Sequence, residues 1–366
     1  MRTLIVAAGG GGDAITSAAL VRPLRLADPP VVMTYSWDRL MVDPLPGPRT
    51  AKDFTGLHEL APSVLEIVAS TRPVAPAGSS LPYLAADLPA RLLLLDPAHG
   101  AAGLADQISA AAAHFQVDHI ALVDVGGDAL TTGHDPGLRS PLADQLALAA
   151  CLRTGLPTRL VIAGPGLDGE VSCEALAERL AQLDAQSLPS LTAADIRRVR
   201  HVFTWHPSEA SGLLAAAASG LRGRVEVRDA GDQVELTTAT TDLRVVDAKR
   251  ASTLTPARHL EHTTSLDEAE QIIRNVTGIS EIAYETRKAD RLGRRHARHP
   301  DVADLAQVDR HAAEARQRDA DYISVRRLSE LLGATSLDAF AALSAMLAAR
   351  RPHAYESSVY RTTAAP

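Results

Sequence analysis

Three segments of this chain place glycines beside carboxylates: Gly9-Gly-Gly-Gly-Asp13, Asp124-Val-Gly-Gly-Asp128 and Gly164-Pro-Gly-Leu-Asp-Gly-Glu170. Glycine lacks a Cβ, so its backbone N–H groups can close directly on a ligand. Gly10, Gly11 and Gly12, and likewise Gly126 and Gly127, are therefore candidates to cradle a phosphate or nucleotide, with Asp13 at the edge of the first cradle. Asp13 reads equally well as a helix cap. The carboxylates ask for a different partner, such as a ribose diol, a divalent cation or an amine.

Asp124 and Asp128 are the sharpest of these signals. Two anions at one strand end repel unless a cation neutralises them or one takes up a proton. Mg²⁺ suits such a pair, because it is held by one or two carboxylates together with substrate oxygens. Asp124 and Asp128 are thus both metal-ligand and catalytic candidates, the second role being that of a general acid with a raised pKa. Asp128 as a helix cap is the simpler alternative. Asp168 and Glu170 repeat the theme after the next strand, and Arg139 is suited to clamp an anion through its fork of donors. His206, in Trp205-His-Pro-Ser-Glu209, is the candidate acid/base, since histidine titrates near neutrality; packing against Trp205 is its alternative. Asp96, His99, His134 and Asp135 are further polar residues at strand ends or in the loops that follow.

The glycine spacing does not match G-x-G-x-x-G, so a standard dinucleotide fingerprint is not expected. Ser140 and Ser208 lack a nucleophile-elbow setting. No C-x-x-C or H-E-x-x-H pattern points to zinc.

Such loops need rigid elements to hold them. Apolar runs of five or six residues at 3–7, 31–35, 91–96, 119–124 and 158–163 read as buried strands. Helical stretches at 14–24, 104–115, 140–152 and 171–185 lie between or after them. This alternation predicts an α/β, Rossmann-like fold, with a mostly parallel sheet and helices on both faces. Ligands of such sheets bind beyond the carboxyl ends of the strands. Residues 202–205 read as another strand before a helix at 208–219. Residues 224–246 read as a small antiparallel element, and helices follow at 267–276, 324–332 and 336–349. The expected division is 1–285 for the α/β domain, 286–354 for a C-terminal helical segment and 355–366 for a loose tail. Arg287, Lys288, Arg291, Arg294, Arg295 and Arg298 have helical spacing and read as a solvated face, with an anion-facing wall or an interface as the alternative.

The chain has 366 residues, a net charge of −7 and 46% hydrophobic residues. That acidity argues against a nucleic-acid-binding surface. Two cysteines give no disulfide framework, and no apolar run reaches membrane-spanning length. A cytoplasmic protein without membrane or nucleic-acid partners is expected, and self-association into a homo-oligomer is compatible with the sequence.

The segments GGGGDA (9–14), WDRLMVDPLPGPR (37–49), LLDPAHGAAGLADQ (94–107), LVDVGGDAL (122–130), DPGLRSPLADQLALAA (135–150), AGPGLDGE (163–170), WHPSEASGLLAAAA (205–218), RGRVEVRDAG (222–231) and EIAYETRKA (281–289) together resemble a prokaryotic family, domain-of-unknown-function family 1152. The resemblance spans roughly residues 1–290. It implies a Rossmann-like fold and brings no activity with it. From the residues themselves, the expected function is a transferase or hydrolase for a nucleotide-like or phosphorylated metabolite, with Mg²⁺ as its cofactor candidate. A metal-free enzyme for a cationic amino acid or guanidine compound, and a non-catalytic ligand-binding protein, are the alternatives.

Overall fold

The computed structural model describes residues 2–228, 230–292 and 298–363. Its strands are β1 (Thr3–Ala7), β2 (Val31–Tyr35), β3 (His58–Ala61), β4 (Val64–Ile67), β5 (Arg91–Leu95), β6 (His119–Val125), β7 (Thr158–Ala163), β8 (Gln186–Leu188), β9 (Gly223–Val227), β10 (Asp232–Leu236), β11 (Leu243–Asp247), β12 (Tyr322–Ser324), β13 (Tyr355–Glu356) and β14 (Val359–Arg361). Nine of them form one sheet in the order β8-β11-β7-β6-β1-β2-β5-β4-β3. The five central strands, β7-β6-β1-β2-β5, run parallel. Antiparallel strands extend both edges.

Apolar side chains alternate between two cores, which is why the central strands read as unbroken apolar runs. Leu4 and Val6 face one core while Ile5 and Ala7 face the other; Leu93 and Leu95 oppose Leu92 and Leu94 in the same way. Each such leucine stabilises the fold by about 1.5–3 kcal/mol on full burial. Helices α1 (Gly11–Ala19) and α4 (Glu209–Ala218) cover the face of Ile5 and Ala7. Helices α2 (Gly100–Phe115) and α3 (Pro141–Arg153) cover the face of Leu4 and Val6.

The chain builds β1, β2 and β5 outward, then crosses back to place β6 on the other side of β1. The sheet therefore has its topological switch point between β1 and β6, where the loops leaving the two strands diverge and open a crevice. Register aligns the ends: Ala7 pairs with Val123, and Val125 with Ala163. The three glycine loops consequently emerge side by side.

A second sheet has the order β10-β9-β12-β14-β13. Here the structure departs from the sequence reading in several places. The β9–β10 hairpin forms as expected, but 243–247 joins the main sheet instead, antiparallel to β7. Residues 355–361 are not a loose tail: Val359 and Tyr360 are buried in the second sheet. Residues 200–204 form a short 3-10 helix rather than a strand. The boundary placed at 285 falls inside helix α5 (Glu281–Leu292). Beyond it, Leu305, Val308, Leu328, Phe340 and Leu343 build a third core with Ile323 of β12. Buried Glu226 of β9 bonds Arg318 and Arg327, locking this C-terminal segment to the rest. No helix among the described residues is long and apolar enough to cross a membrane.

Candidate functional site

A cavity of about 380 Å³ opens at the β1/β6 switch point. Of the residues expected from sequence, Gly10, Gly11, Gly12, Asp13, Asp128, Arg139, Asp168, Glu170 and His206 line it. Asp124 is 1% exposed and lies just beneath, within reach of Asp13. Gly126 and Gly127 do not border the open space. They shape the turn instead, with φ of +130° and +103°, a backbone region that L side chains rarely adopt. A Cβ on Gly126 would also lie 2.0 Å from Asp168 Oδ2.

The first glycine loop is tight for a similar reason. A Cβ on Gly10 would sit 2.4 Å from the Trp37 carbonyl oxygen, so the start of α1 packs directly on the loop that follows β2. Asp13 lies in the first turn of α1 and accepts the Gly9 N–H at 2.9 Å. The helix N-terminus therefore already holds a carboxylate, and a phosphate there has to share the space with Asp13.

Below the cavity, Asp124 accepts the N–H groups of Gly127 and Ala129 at 3.3 and 3.1 Å. Asp128 does not cap the helical turn it begins, because Gly127 holds the N-cap position. Burial, reinforced by neighbouring carboxylates, pushes Asp124 and Asp128 well above the ordinary carboxylate range. The same causes raise Asp13 and Asp168 to about 7. Asp168 Oδ1 accepts the Glu170 N–H at 2.8 Å, and Asp128 lies near enough to lower the Asp168 pKa by sharing a proton with its carboxyl.

Glu170 behaves differently. Although burial opposes its charge, Arg228 and several hydrogen bonds hold it below the usual range. It accepts from the backbone of Arg139 and Ser140 at 2.8 and 2.9 Å and from Ser140 Oγ at 2.6 Å. Glu170 thus anchors the N-terminus of α3. Arg139 bonds Asp232 at 3.1 Å while its flank lines the cavity.

His206 is 5% exposed, and burial pushes it down to about 3. Its Nδ1 accepts the Ser208 N–H at 3.2 Å, so the ring proton sits on Nε2, which donates to Ser80 Oγ at 3.2 Å. Ser80 in turn donates to Asp38 Oδ1 at 2.5 Å. This imidazole is neutral and bonded at both nitrogens. It binds the 206–208 loop to the 37–39 loop.

Several cavity residues had no counterpart in the sequence reading. Asp144 of α3 sits inside an otherwise apolar helical face and is 5% exposed. Glu281, Tyr284 and Glu285 form one stripe of α5 along the wall together with Lys288, which the sequence reading set on a solvated face and which lines the cavity instead; their i, i+3, i+4, i+7 spacing is a readable signal. Burial, with Glu285 adding to it, raises Glu281 to about 8, while the Leu142 N–H bonds it at 3.0 Å. Glu285 accepts Trp37 Nε1 and the Gly47 N–H. Arg39 reaches over the cavity to within 3.7 Å of Glu285. Arg326 and Glu330 come from the C-terminal segment. Arg228 and Lys288 also line the wall. The lining carries ten carboxylates (Asp13, Asp38, Asp128, Asp144, Asp168, Glu170, Glu209, Glu281, Glu285 and Glu330) against five fixed cations (Arg39, Arg139, Arg228, Lys288 and Arg326).

The other polar candidates lie elsewhere. Asp96 accepts the N–H groups of Ala98 and Ala51, and Asp135 pairs with Arg179 at 2.5 Å. Of the basic stretch, Arg298 pairs with Asp304, whereas Arg294 and Arg295 lie outside the described residues.

Fold and cavity together define a Rossmann-like α/β protein with an acidic, small-molecule-sized cavity at its switch point. The chain belongs to the family described as protein of unknown function (DUF1152), whose model matches residues 4–289. No curated protein and no solved structure matches it. Arg326 and Glu330 therefore enter the cavity from beyond the matched region.

Proposed function

We propose that this chain is a transferase or hydrolase acting on a nucleotide-like or phosphorylated metabolite bound at the β1/β6 switch point. One observation carries the reading: a single cavity is lined both by carboxylates with raised pKa and by the guanidinium groups of Arg39, Arg228 and Arg326. Its volume lies in the range of small-molecule sites. In this reading the arginines hold the anionic group of the substrate. The Asp128–Asp168 pair moves the proton, since a group poised near 7 suits general acid/base work at neutral pH. His206, being neutral, positions the loop and offers no charge.

The test is a thermal-shift and calorimetric titration with nucleoside mono-, di- and triphosphates and sugar phosphates, each with and without Mg²⁺. At about 1 mM, a ligand with a Kd of about 10 µM adds about 2.7 kcal/mol of stability. Arg39→Ala should abolish that gain. Absence of any shift across the panel would count against the reading. The excess of carboxylates favours one second reading, an enzyme for a cationic amine or guanidine substrate. That reading expects binding of arginine-like ligands that chelators do not affect.

A further inference from the structure

We propose that Asp13, Asp124 and Asp144 bind one divalent cation, Mg²⁺ or Mn²⁺, at the floor of this cavity. One carboxylate oxygen from each lies within 4.8 Å of the others. Ligands of a Mg²⁺ octahedron stand about 3.0 Å apart when adjacent and about 4.2 Å when opposite, so inward side-chain movements on the order of 1 Å close the set around an ion. The donors are all hard oxygens with no thiolate or imidazole among them, which selects Mg²⁺ or Mn²⁺ over zinc. Backbone N–H groups of Gly9, Gly127 and Ala129 already orient Asp13 and Asp124, as supporting partners orient metal ligands elsewhere.

Asp144 supplies an independent reason. It is 5% exposed and points into the cavity, yet its carboxylate accepts no hydrogen bond from the described residues. The groups acting on it, Asp124, Asp13, Glu281 and Glu170, are all acidic. A buried carboxylate without a donor is costly unless something neutralises it. Glu170, equally buried in the lining of the same cavity, shows how this chain satisfies an acid meant to stand alone, with two backbone N–H groups, a hydroxyl and an arginine. Asp144 has none of these, and its neighbours are two more carboxylates with room between them. The geometry also revises the pair suggested by sequence: Asp124 remains, while Asp13 and Asp144 take the place of Asp128.

The inference rests on the reading of this cavity as the working site, but its probe is the metal alone. Failure of nucleotides to bind and failure of the metal to bind are thus separate results. Metal-stripped full-length protein is titrated with Mn²⁺, and free Mn²⁺ is followed by electron paramagnetic resonance. One bound Mn²⁺ per chain is expected, competed by Mg²⁺. Asp144→Asn should weaken binding at least about tenfold, while Glu235→Gln, on an exposed carboxylate, leaves it unchanged. Folding of Asp144→Asn is checked by its thermal midpoint without metal, and Asp13→Asn serves as the second variant. No Mn²⁺ bound at millimolar concentration would overturn the proposal. So would wild-type affinity in both variants, or a loss confined to Asp128→Asn.

Discussion

Replacing Asp13 by Asn removes a charge that the folded protein holds at a cost, and the size of that cost is readable from the site. Burial and the neighbouring Asp168 raise Asp13 from 3.8 to about 7. A raised carboxylate pKa means that folding favours the protonated form, so its stability is intact below about 4 and is lost as pH rises through 7. The shift of about three units corresponds to about 4 kcal/mol at pH 8. This is a ceiling, because protons redistribute among Asp13, Asp124 and Asp168 as the cluster titrates. Asparagine does not ionise and can still accept the Gly9 N–H. In metal-free buffer, Asp13→Asn should therefore be more stable than wild type at pH 8, by up to about 4 kcal/mol or about 5 °C for a chain of this length. At pH 4.5 the gain should shrink to near 1 kcal/mol. Differential scanning calorimetry across pH 4.5–8 in chelator reads both values. A gain that does not grow with pH would show that Asp13 is an ordinary ionised carboxylate, and the electrostatic account of the site would fail with it.

Glu170→Gln should destabilise the fold by about 3 kcal/mol in denaturant titration, because it strips a charge from Arg228 and from the N-terminus of α3. Gly10→Ala should cost about 1–3 kcal/mol and weaken ligand binding as well, since the new methyl meets the Trp37 carbonyl; unchanged stability in the same titration would refute that packing. His206, held down to about 3, should keep its Nε2–H tautomer from pH 5 to 8 in nitrogen-15 NMR spectra of labelled histidine. A titration midpoint near 6.5 would contradict the buried, doubly bonded ring.

Much of the frame was legible in the chain because it rests on local chemistry. Five apolar runs bounded by glycine, proline and acidic residues give the parallel strands wherever they fall in space, and strand ends carry the loops that ligands use. Gly9–Asp13, Asp124–Asp128 and Gly164–Glu170 therefore mark the carboxyl ends of three central strands from the chain alone. Chain position could not say which acids meet. Asp144 lies in the first turn of α3, and only the packing of α3 beneath the switch point brings it to Asp13 and Asp124, 131 and 20 residues away. Glu281 and Glu285 arrive on a helix that the sequence reading divided between two segments. Arg39 depends on the loop after β2, and Arg326 on a C-terminal segment tied down through Glu226. Nor do residue types reveal which carboxylates are satisfied. Residue type does not separate Glu170 from Asp144; hydrogen-bond donors from Arg139, Ser140 and Arg228 settle the first, and among the described residues none reaches the second, which is why a cation is proposed there. The strand order that places β6 beside β1 decides this, because charges act through space and repel according to distance rather than position along the chain.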